Sequence, residues 1–453
     1  MAKFSKINPL FVTLAISFYC LAAYAVEEDS VSQRSVLIDL QNTPVELHKI
    51  PIEVHRVGDN VFWASGITKL YLITTAEGHV LFDGGYSEQA FKQLALLQKT
   101  VPGNIVKAVI SHSHPDHTGL AISLQEQGVE VVAHREFMEE QRYLNELAQY
   151  QHSRNQPLFP WMPKEFPRDG PFPHGRLIPN ETVGEEDYAF ELAGVKFEVL
   201  STPGAEGADN LVLWLPDQKM LFSGDTFGPF FPAFPNIFTM RGEKVRKPTE
   251  YIQSLNKMIP LGAEMILPAH PPIVSTGEAE ITAGLKRMRD AIQYVHNQVV
   301  SGMNEEKTVY QLMAEIVLPE ELTLSQQHGR VSWAVKSIWE YYATWFHFDS
   351  TVELYAVPPN AVYADVGNLV GSDVLTQQAE EYMLSDEPVK AIQVLEMANA
   401  ADDSYVPAWQ SHRKALSILL KRAEGGLANN YEIFWLRMQI RKIDDKLNEL
   451  AGA

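Results

Sequence analysis

The sequence contains very little cysteine: Cys20 is the single example among 453 residues. It lies in an N-terminal apolar segment that we expect to be removed from the mature protein. Without other thiols, the chain cannot form an internal disulfide framework, and it cannot use a cysteine nucleophile or thiolate metal ligands. Any catalytic or metal chemistry must therefore rest on histidine, carboxylate and other nitrogen or oxygen groups.

Positive charge is also scarce. The chain has 37 Lys and Arg residues against 57 Asp and Glu, a formal net charge of −20 at pH 7. Such an acidic protein has no electrostatic attraction for DNA, RNA or an anionic bilayer, so we expect no nucleic-acid partner. Hydrophobic residues make up 45% of the sequence, which is enough to bury the cores of two or three domains.

Long apolar runs are missing except at the N-terminus. Residues 7–25 carry no charge, follow Lys3 and Lys6, and end in an Ala-x-Ala sequence, which is the layout of a cleavable signal peptide. A membrane anchor is the alternative, but the apolar run 10–23 is shorter than the roughly 20 residues of a spanning helix. We therefore predict a signal peptide at 1–25, a periplasmic or secreted location, and no stable membrane insertion after cleavage.

Beyond this leader, the sequence pattern predicts three regions. Residues 26–277 alternate short apolar runs with amphipathic segments, which predicts an α/β domain with sheets inside and helices outside. Within it, residues 157–173 contain six prolines and predict an irregular loop. Residues 278–366 predict a helical extension packed on this domain, and residues 367–453 a separate helical domain. A tetratricopeptide-like array and a generic helical bundle both account for the last region, because no clean repeat of about 34 residues is visible.

The strongest chemical signal follows a short apolar strand: residues 111–117 read Ser-His-Ser-His-Pro-Asp-His. In an extended chain residues i and i+2 point to the same side, so His112 and His114 can bind one metal ion. Asp116 and His117, at the start of the next helix, can face a neighbouring ion. The alternative is a solvated polar turn, but this spacing at the end of a buried strand favours a metal centre.

This run resembles the His-x-His-x-Asp-His signature of the metallo-β-lactamase superfamily, and the upstream Asp83-Gly84-Gly85 fits the same family. The resemblance implies a four-layer αββα sandwich, followed here by an all-α helical domain. It also implies that Asp83 orients a histidine ligand through its second ring nitrogen. The alternative for Asp83 is an ordinary turn aspartate.

The later segments resemble the alkylsulfatase branch of that family. Common members have a Pro-Gly-His segment where this chain reads Pro203-Gly204-Ala205-Glu206, so a glutamate replaces the usual histidine. Asp225 follows 19 residues after Glu206, and His270 follows 45 residues later. The resemblance implies two zinc ions per subunit. One ion is then held by His112, His114 and Glu206, the other by Asp116, His117 and His270, and Asp225 bridges them. Asp225 itself departs from the branch, where glutamate is typical.

A segment for binding an anion comes next. Residues 236–242 are similar to the Asn-x-x-x-x-Arg-Gly stretch of alkylsulfatases, which implies that Asn236 and Arg241 bind the sulfate group. A guanidinium suits this role because it offers paired donors to an oxyanion and keeps its charge; Arg246 is a weaker second cation. The alternative for Arg241 is a surface salt bridge. The aromatic stretch 227–235 is equally consistent with a groove wall for an alkyl or aryl group and with core packing.

The helical C-terminus resembles the dimerisation domain of alkylsulfatases, which implies a homodimer, without the sterol-carrier-like domain of the full-length enzymes. Taken together, the resemblance implies a metal-dependent hydrolase that cleaves a small anionic ester, preferably a sulfate ester, through a metal-bridging hydroxide. Asp225 and Arg241 are the expected catalytic residues. The alternatives are a hydrolase of phosphoesters, lactones or β-lactams on the same scaffold, and a non-catalytic protein that merely holds metal.

Overall fold

The computed structural model describes residues 50–452, except 161, 167–172, 238 and 271–273. The predicted signal peptide, with Cys20, lies outside the described residues. Within the described part, no helix combines the length and the hydropathy that crossing a membrane requires.

The first sheet has seven strands, which lie side by side in the order of the sequence. Neighbours are antiparallel from the first strand to the fourth and parallel from the fourth to the seventh. The strands are β1 (Val54–Arg56), β2 (Val61–Ala64), β3 (Leu70–Thr75), β4 (Gly78–Phe82), β5 (Ile105–Val109), β6 (Glu130–His134) and β7 (Glu181–Val183).

The second sheet has six strands in the order β13-β12-β11-β10-β9-β8. They are β8 (Tyr188–Leu192), β9 (Val195–Ser201), β10 (Leu211–Leu215), β11 (Met220–Gly224), β12 (Met265–Pro268) and β13 (Ser275–Thr276). All neighbours are antiparallel except β11 and β12, which run parallel.

Strand β10 explains how the two sheets pack. All five of its residues are buried, because each face of the strand meets a different core. Leu211, Leu213 and Leu215 face the core between the two sheets. Val212 and Trp214 face the core on the outer side of the second sheet. Because side chains alternate between the two faces of a strand, this one apolar run packs against two cores. Each fully buried side chain of this size contributes about 1.5–3 kcal/mol to the free energy of unfolding.

Helices cover both outer faces. They are α1 (Ser87–Thr100), α2 (Pro115–Thr118), α3 (Ala121–Glu126), α4 (Phe137–Glu146), α5 (Ala148–Asn155), α6 (Pro248–Met258), α7 (Glu278–Asn304), α8 (Val309–Glu315) and α9 (Val331–Ala343). Ala90 and Leu97 of α1 pack on the first sheet. Tyr251 of α6, Ile281 of α7 and Val335 of α9 belong to the core outside the second sheet. The predicted α/β fold, with four layers αββα, is therefore confirmed.

The C-terminal region is helical, as predicted. Its helices are α10 (Tyr363–Val370), α11 (Ser372–Leu384), α12 (Pro388–Ala401), α13 (Val406–Gly425) and α14 (Asn430–Gly452). Leu375, Ala391 and Leu395 form one small core, while Leu416 and Leu436 belong to a second one between α13 and α14. The domain boundaries placed at residues 277 and 366 stay predictions.

Candidate metal centre

The side chains predicted as metal ligands all lie just beyond the carboxyl ends of strands. Residues 112–117 follow β5 in the first sheet, next to Asp83, which follows β4. The second sheet supplies the others: Glu206 after β9, Asp225 after β11 and His270 after β12. Because the two sheets face each other, these segments meet at one edge of the sandwich.

The turn after β4 anchors the histidine-rich loop. Asp83 adopts a left-handed backbone with φ of 64°, and its buried carboxylate Oδ1 accepts a hydrogen bond of 2.8 Å from the Ser111 backbone N–H. The Ser111 carbonyl in turn accepts a hydrogen bond of 2.7 Å from the Leu211 backbone N–H, which links the loop to the second sheet. Gly119 completes the arrangement because a Cβ there would lie 2.6 Å from the Gly85 carbonyl oxygen.

One group of ligand atoms combines His112, His114 and Glu206. One ligand atom of each lies within 4.8 Å of the other two. His112 Nε2 is 2.8 Å from His114 Nδ1, and His114 Nδ1 is 3.5 Å from Glu206 Oε1. All three residues are buried. The structure therefore brings together the set that the sequence assigned to one ion.

A second group surrounds His117. Its Nε2 is 3.5 Å from Asp116 Oδ2 and 3.5 Å from Asp225 Oδ2. His270 Nε2 lies 3.0 Å from Asp225 Oδ2 and 3.4 Å from Asp116 Oδ2. Asp116, His117 and His270 thus form one candidate ligand group, and His112, His117 and Asp225 form another. Asp225 lies where both ions could reach it.

Two buried atoms at this centre lack a hydrogen-bond partner in the described structure: His117 Nε2 and Asp225 Oδ1. The other nitrogen of His117, Nδ1, is 2.9 Å from Asp83 Oδ2. An unpaired buried polar atom costs about 1–3 kcal/mol, so unpaired atoms concentrated at one place need an explanation. Imidazole nitrogens and carboxylate oxygens are ligands that zinc accepts, and these residues fit a metal ion on that ground.

The charges of the centre shift the pKa values of its histidines in opposite directions. Burial, with His117 and His114 close by, holds the pKa of His112 well below its usual range. Burial would also lower the pKa of His117, but Asp116, Asp225 and Asp83 outweigh it and hold that pKa well above the usual range. The same competition between burial and Asp225 raises the pKa of His270 to about 9. The field at His117 and His270 therefore favours positive charge, as a cation site requires.

Arg241 lies beside the first ligand group. Its Nη2 is 3.0 Å from Glu206 Oε1 and 2.9 Å from Glu243 Oε1, and its side chain is 27% exposed. Arg246 is more deeply buried, with its Nη2 2.8 Å from Glu206 Oε1 and 2.7 Å from Glu243 Oε2. The two guanidinium groups and the two carboxylates form a buried charged cluster, so Arg241 is not an ordinary surface ion pair.

Asn236 contributes to this cluster mainly through its backbone. Its carbonyl accepts a hydrogen bond of 2.8 Å from Arg246 Nη1, while its side-chain Nδ2 is buried and lacks a partner among the described residues. Of the aromatic stretch 227–235, Phe227 and Phe234 are buried in the core outside the second sheet. Core packing therefore accounts for these two rings. Phe238 lies outside the described residues.

Sequence reasoning missed three residues near this cluster. Glu243 pairs with both arginines, and its Oε1 is 3.5 Å from His114 Nε2. The sequence signal that could have identified it is its position two residues after Arg241. His328 and Tyr431 come from the helical part, and their rings are 5.4 Å apart. Burial, helped by Arg241 and by Arg246, lowers the pKa of His328 to about 3, so this imidazole is neutral.

Comparison with known proteins agrees with this architecture. A family model described as the metallo-beta-lactamase superfamily matches residues 66–270, and one described as alkyl sulfatase dimerisation matches residues 308–435. A linear primary-alkylsulfatase from Pseudomonas sp. is 30% identical over 343 residues, which cover 70% of this chain and 63% of that protein. The alkyl/aryl-sulfatase BDS1 of Saccharomyces cerevisiae is 24% identical over 354 residues, covering 71% of this chain and 54% of that protein.

The chain thus spans 63% and 54% of the length of these two relatives. Among solved structures, the stereoselective inverting sec-alkylsulfatase Pisa1 from Pseudomonas sp. has a similar fold, with a TM-score of 0.74 and 21% identity. That similarity covers 89% of this chain and 66% of the other. Residues 66–270 thus match the metallo-β-lactamase superfamily, and residues 308–435 match the alkyl sulfatase dimerisation domain.

Proposed function

We propose that this protein is a metal-dependent hydrolase of sulfate esters that binds two zinc ions per subunit. The observation that carries the proposal is the pair of unpaired buried atoms, His117 Nε2 and Asp225 Oδ1, beside a cluster that contains Arg241. The residues that would hold the ions are His112, His114, Asp116, His117, Glu206, Asp225 and His270. Zinc bound there would supply Lewis-acid activation of water and of the ester.

Hydrogen bonds from the chain fix the histidines for this role. Because an ionised carboxylate only accepts, Asp83 takes the Nδ1–H of His117, so that Nε2, which faces Asp116 and Asp225, is the nitrogen that would give up its proton to bind an ion. The carbonyl of Ile67 does the same for His270, whose Nδ1 is 2.7 Å from that oxygen. These contacts fix the ring orientations and leave Nε2 of each histidine as the nitrogen that would bind the ion.

Arg241 would bind the sulfate oxygens, with Asn236 as a second donor. Both guanidinium groups pair with Glu206 and Glu243, but the Arg241 side chain is 27% exposed and that of Arg246 only 3%, so Arg241 is the one a ligand would reach. In a chain of net charge −20, Arg241 and the bound metal ions together would supply the local positive charge that an anionic substrate needs. Charge that develops on the sulfate group as the ester bond breaks would be stabilised by the same donors.

We also propose that the enzyme is an exported homodimer that acts on alkyl sulfates. The match to an alkyl sulfatase dimerisation domain supports a homodimer, and the N-terminal sequence supports export through a signal peptide ending at residue 25. Both alkylsulfatase relatives support an alkyl sulfate as the substrate class.

The test is hydrolysis of an ester panel by the zinc-loaded full chain: a medium-chain alkyl sulfate, an aryl sulfate, a phosphodiester, a lactone and a β-lactam. We expect turnover of a sulfate ester and a loss of about 100-fold in kcat/KM in Arg241→Ala, equivalent to about 2.7 kcal/mol of transition-state binding. Arg135→Ala is the matched control, because Arg135 is an exposed arginine whose ion pairs, among the described residues, are with Glu136 and Glu185.

Two outcomes contradict the proposal. Turnover of only an uncharged ester or a β-lactam, with Arg241→Ala unchanged, would assign the same scaffold to another hydrolase. A protein that binds zinc but hydrolyses none of the panel would be the non-catalytic, metal-holding alternative.

A further inference from the structure

A second histidine–carboxylate cluster lies in the segment between α9 and α10, far along the chain from residues 111–117. It consists of His347, Asp349 and Glu353, and one ligand atom of each lies within 4.8 Å of the other two. None of the three contributes to the centre described above. The spacing His-x-Asp-x-x-x-Glu places all three in one short stretch, so a local turn is enough to assemble them.

The imidazole of His347 has the environment of a metal ligand. Its Nε2 is 2.8 Å from Glu340 Oε2 on α9, and because a carboxylate only accepts, this nitrogen carries the proton. The other nitrogen, Nδ1, is then left with its lone pair, and it faces Glu353 Oε1 at 3.6 Å. A carboxylate behind the imidazole is the usual device that orients and strengthens a histidine ligand.

Glu353 is fixed in a complementary way. Its Oε2 accepts a hydrogen bond of 2.8 Å from the His347 backbone N–H, so only Oε1 is directed at the ring. The distance of 3.6 Å from Nδ1 to Oε1 is too long for a good hydrogen bond. It is close to the roughly 3.3 Å that separates two ligands of a tetrahedral zinc ion with bonds of about 2.0–2.1 Å. A small side-chain adjustment would therefore allow both atoms to bind one ion.

The local excess of negative charge also favours a bound cation. Three carboxylates, those of Glu340, Asp349 and Glu353, surround one imidazole. Among the described residues, no lysine or arginine forms an ion pair with any of them; His347 is the ion-pair partner of Glu340 and Glu353. A divalent cation would neutralise this local excess of negative charge.

We propose that His347 Nδ1, Asp349 and Glu353 bind a divalent transition-metal ion, with Glu340 as the residue that orients His347. The imidazole favours zinc over calcium, because calcium prefers a shell made only of oxygen. The ion would fix the short 3-10 helix Thr351–Leu354 and the connection that leads to the C-terminal helices. This site is independent of the sulfate-ester proposal.

The test counts zinc ions. The full chain is stripped with a chelator and titrated with Zn²⁺, and bound zinc is measured by equilibrium dialysis and elemental analysis. We expect His347→Gln and Asp349→Asn each to bind one zinc equivalent fewer than the wild type. In the wild type, an excess of Ca²⁺ should not displace this additional zinc ion. Glu340→Gln should weaken zinc binding at this site about 10–100-fold. Asp365→Asn is the matched control, an exposed aspartate on α10 outside the cluster, and it should bind as much zinc as the wild type.

Equal zinc stoichiometry in the wild type and in both cluster variants would overturn the proposal. Asp349 is exposed, so Asp349→Asn keeps the experiment decisive even if His347→Gln folds poorly. Sulfate-ester hydrolysis, measured in parallel, separates the two proposals. Loss of the extra equivalent with turnover intact supports this site, whereas absence of turnover in every chain contradicts only the proposed activity.

Discussion

Replacing Lys69 with methionine should stabilise the protein, and the gain should shrink as the pH rises. The Lys69 side chain is fully buried and its Nζ has no hydrogen-bond partner among the described residues. Its remaining polar contact is with the ring of Trp63, whose centroid is 5.1 Å from Nζ. Burial lowers the pKa of Lys69 to about 7, from 10.5 for an exposed lysine.

The sign of the pH dependence follows from proton binding. Between pH 7 and pH 10.5 the unfolded chain holds a proton on Lys69 that the folded chain does not, so wild-type stability rises with pH in this window. Each pH unit is worth about 1.4 kcal/mol, so the buried amine costs about 5 kcal/mol at pH 6 and about 2 kcal/mol at pH 9. At pH 6 the lost cation–π contact with Trp63 subtracts about 1 kcal/mol, whereas at pH 9 the folded-state amine is neutral and this contact contributes little. We expect Lys69→Met to gain about 4 kcal/mol at pH 6 and about 2 kcal/mol at pH 9.

The assay is urea unfolding of the metal-stripped chains at both pH values, with the free energy of unfolding taken from the midpoint and the slope. Lys107→Met is the control: Lys107 is also largely buried, but it pairs with Glu130 and donates to the Tyr188 hydroxyl at 3.2 Å, so its loss should destabilise at both pH values. A gain for Lys69→Met that is equal at pH 6 and pH 9, or a loss at pH 6, would refute the reasoning.

Three further predictions concern the site and the core. Asp83→Asn should weaken zinc binding about 10–100-fold in a dialysis titration because it removes the carboxylate that fixes the His117 tautomer; unchanged affinity would contradict that role. Leu213→Ala should cost about 2–5 kcal/mol in urea unfolding, since this side chain is fully buried between the sheets. The exposed Leu369→Ala should change stability by less than about 0.5 kcal/mol, and similar losses in the two leucine variants would argue against the core assignment. Gly329→Ala should lower the thermal midpoint and cost about 3 kcal/mol, because its Cβ would lie 1.9 Å from a backbone carbonyl oxygen; a neutral result would show that the neighbouring loop can move.

Most strands and helices could be predicted because their signals are local. The apolar run of residues 70–75 predicts a strand and coincides with β3, and the amphipathic pattern of residues 331–346 predicts a helix that corresponds to α9, which ends at Ala343. The apolar pattern of residues 188–200 predicts one block of strand, whereas the structure reverses the chain within it, between β8 and β9. Ala193 and Gly194 have positive φ there, and a tight turn inside an apolar stretch leaves the alternation of side chains almost unbroken.

The candidate site could be predicted only in part. The residues 111–117 are informative because their chemistry is concentrated in one loop. Glu243 was missed because its importance comes from contacts with residues distant in sequence, such as His114. His328 and Tyr431 were missed for the same reason: the helical region brings them near the arginines only after folding. The roles of the predicted ligands and of Asn236 and Arg241 stay predictions until zinc binding and turnover are measured.

The division of the ligands between the two sheets has a consequence for how the protein tolerates mutation. Residues 112–117 follow the first sheet, whereas Glu206, Asp225 and His270 follow the second. An ion held by both sets would link the two sheets, and its binding would increase the free energy of unfolding. At a thousandfold excess over its Kd, one such ion contributes about 4 kcal/mol, similar to the cost of a large core truncation. The zinc concentration would then determine how large a destabilising core mutation the protein tolerates. Core variants that stay folded in zinc-rich medium would unfold when zinc is limiting.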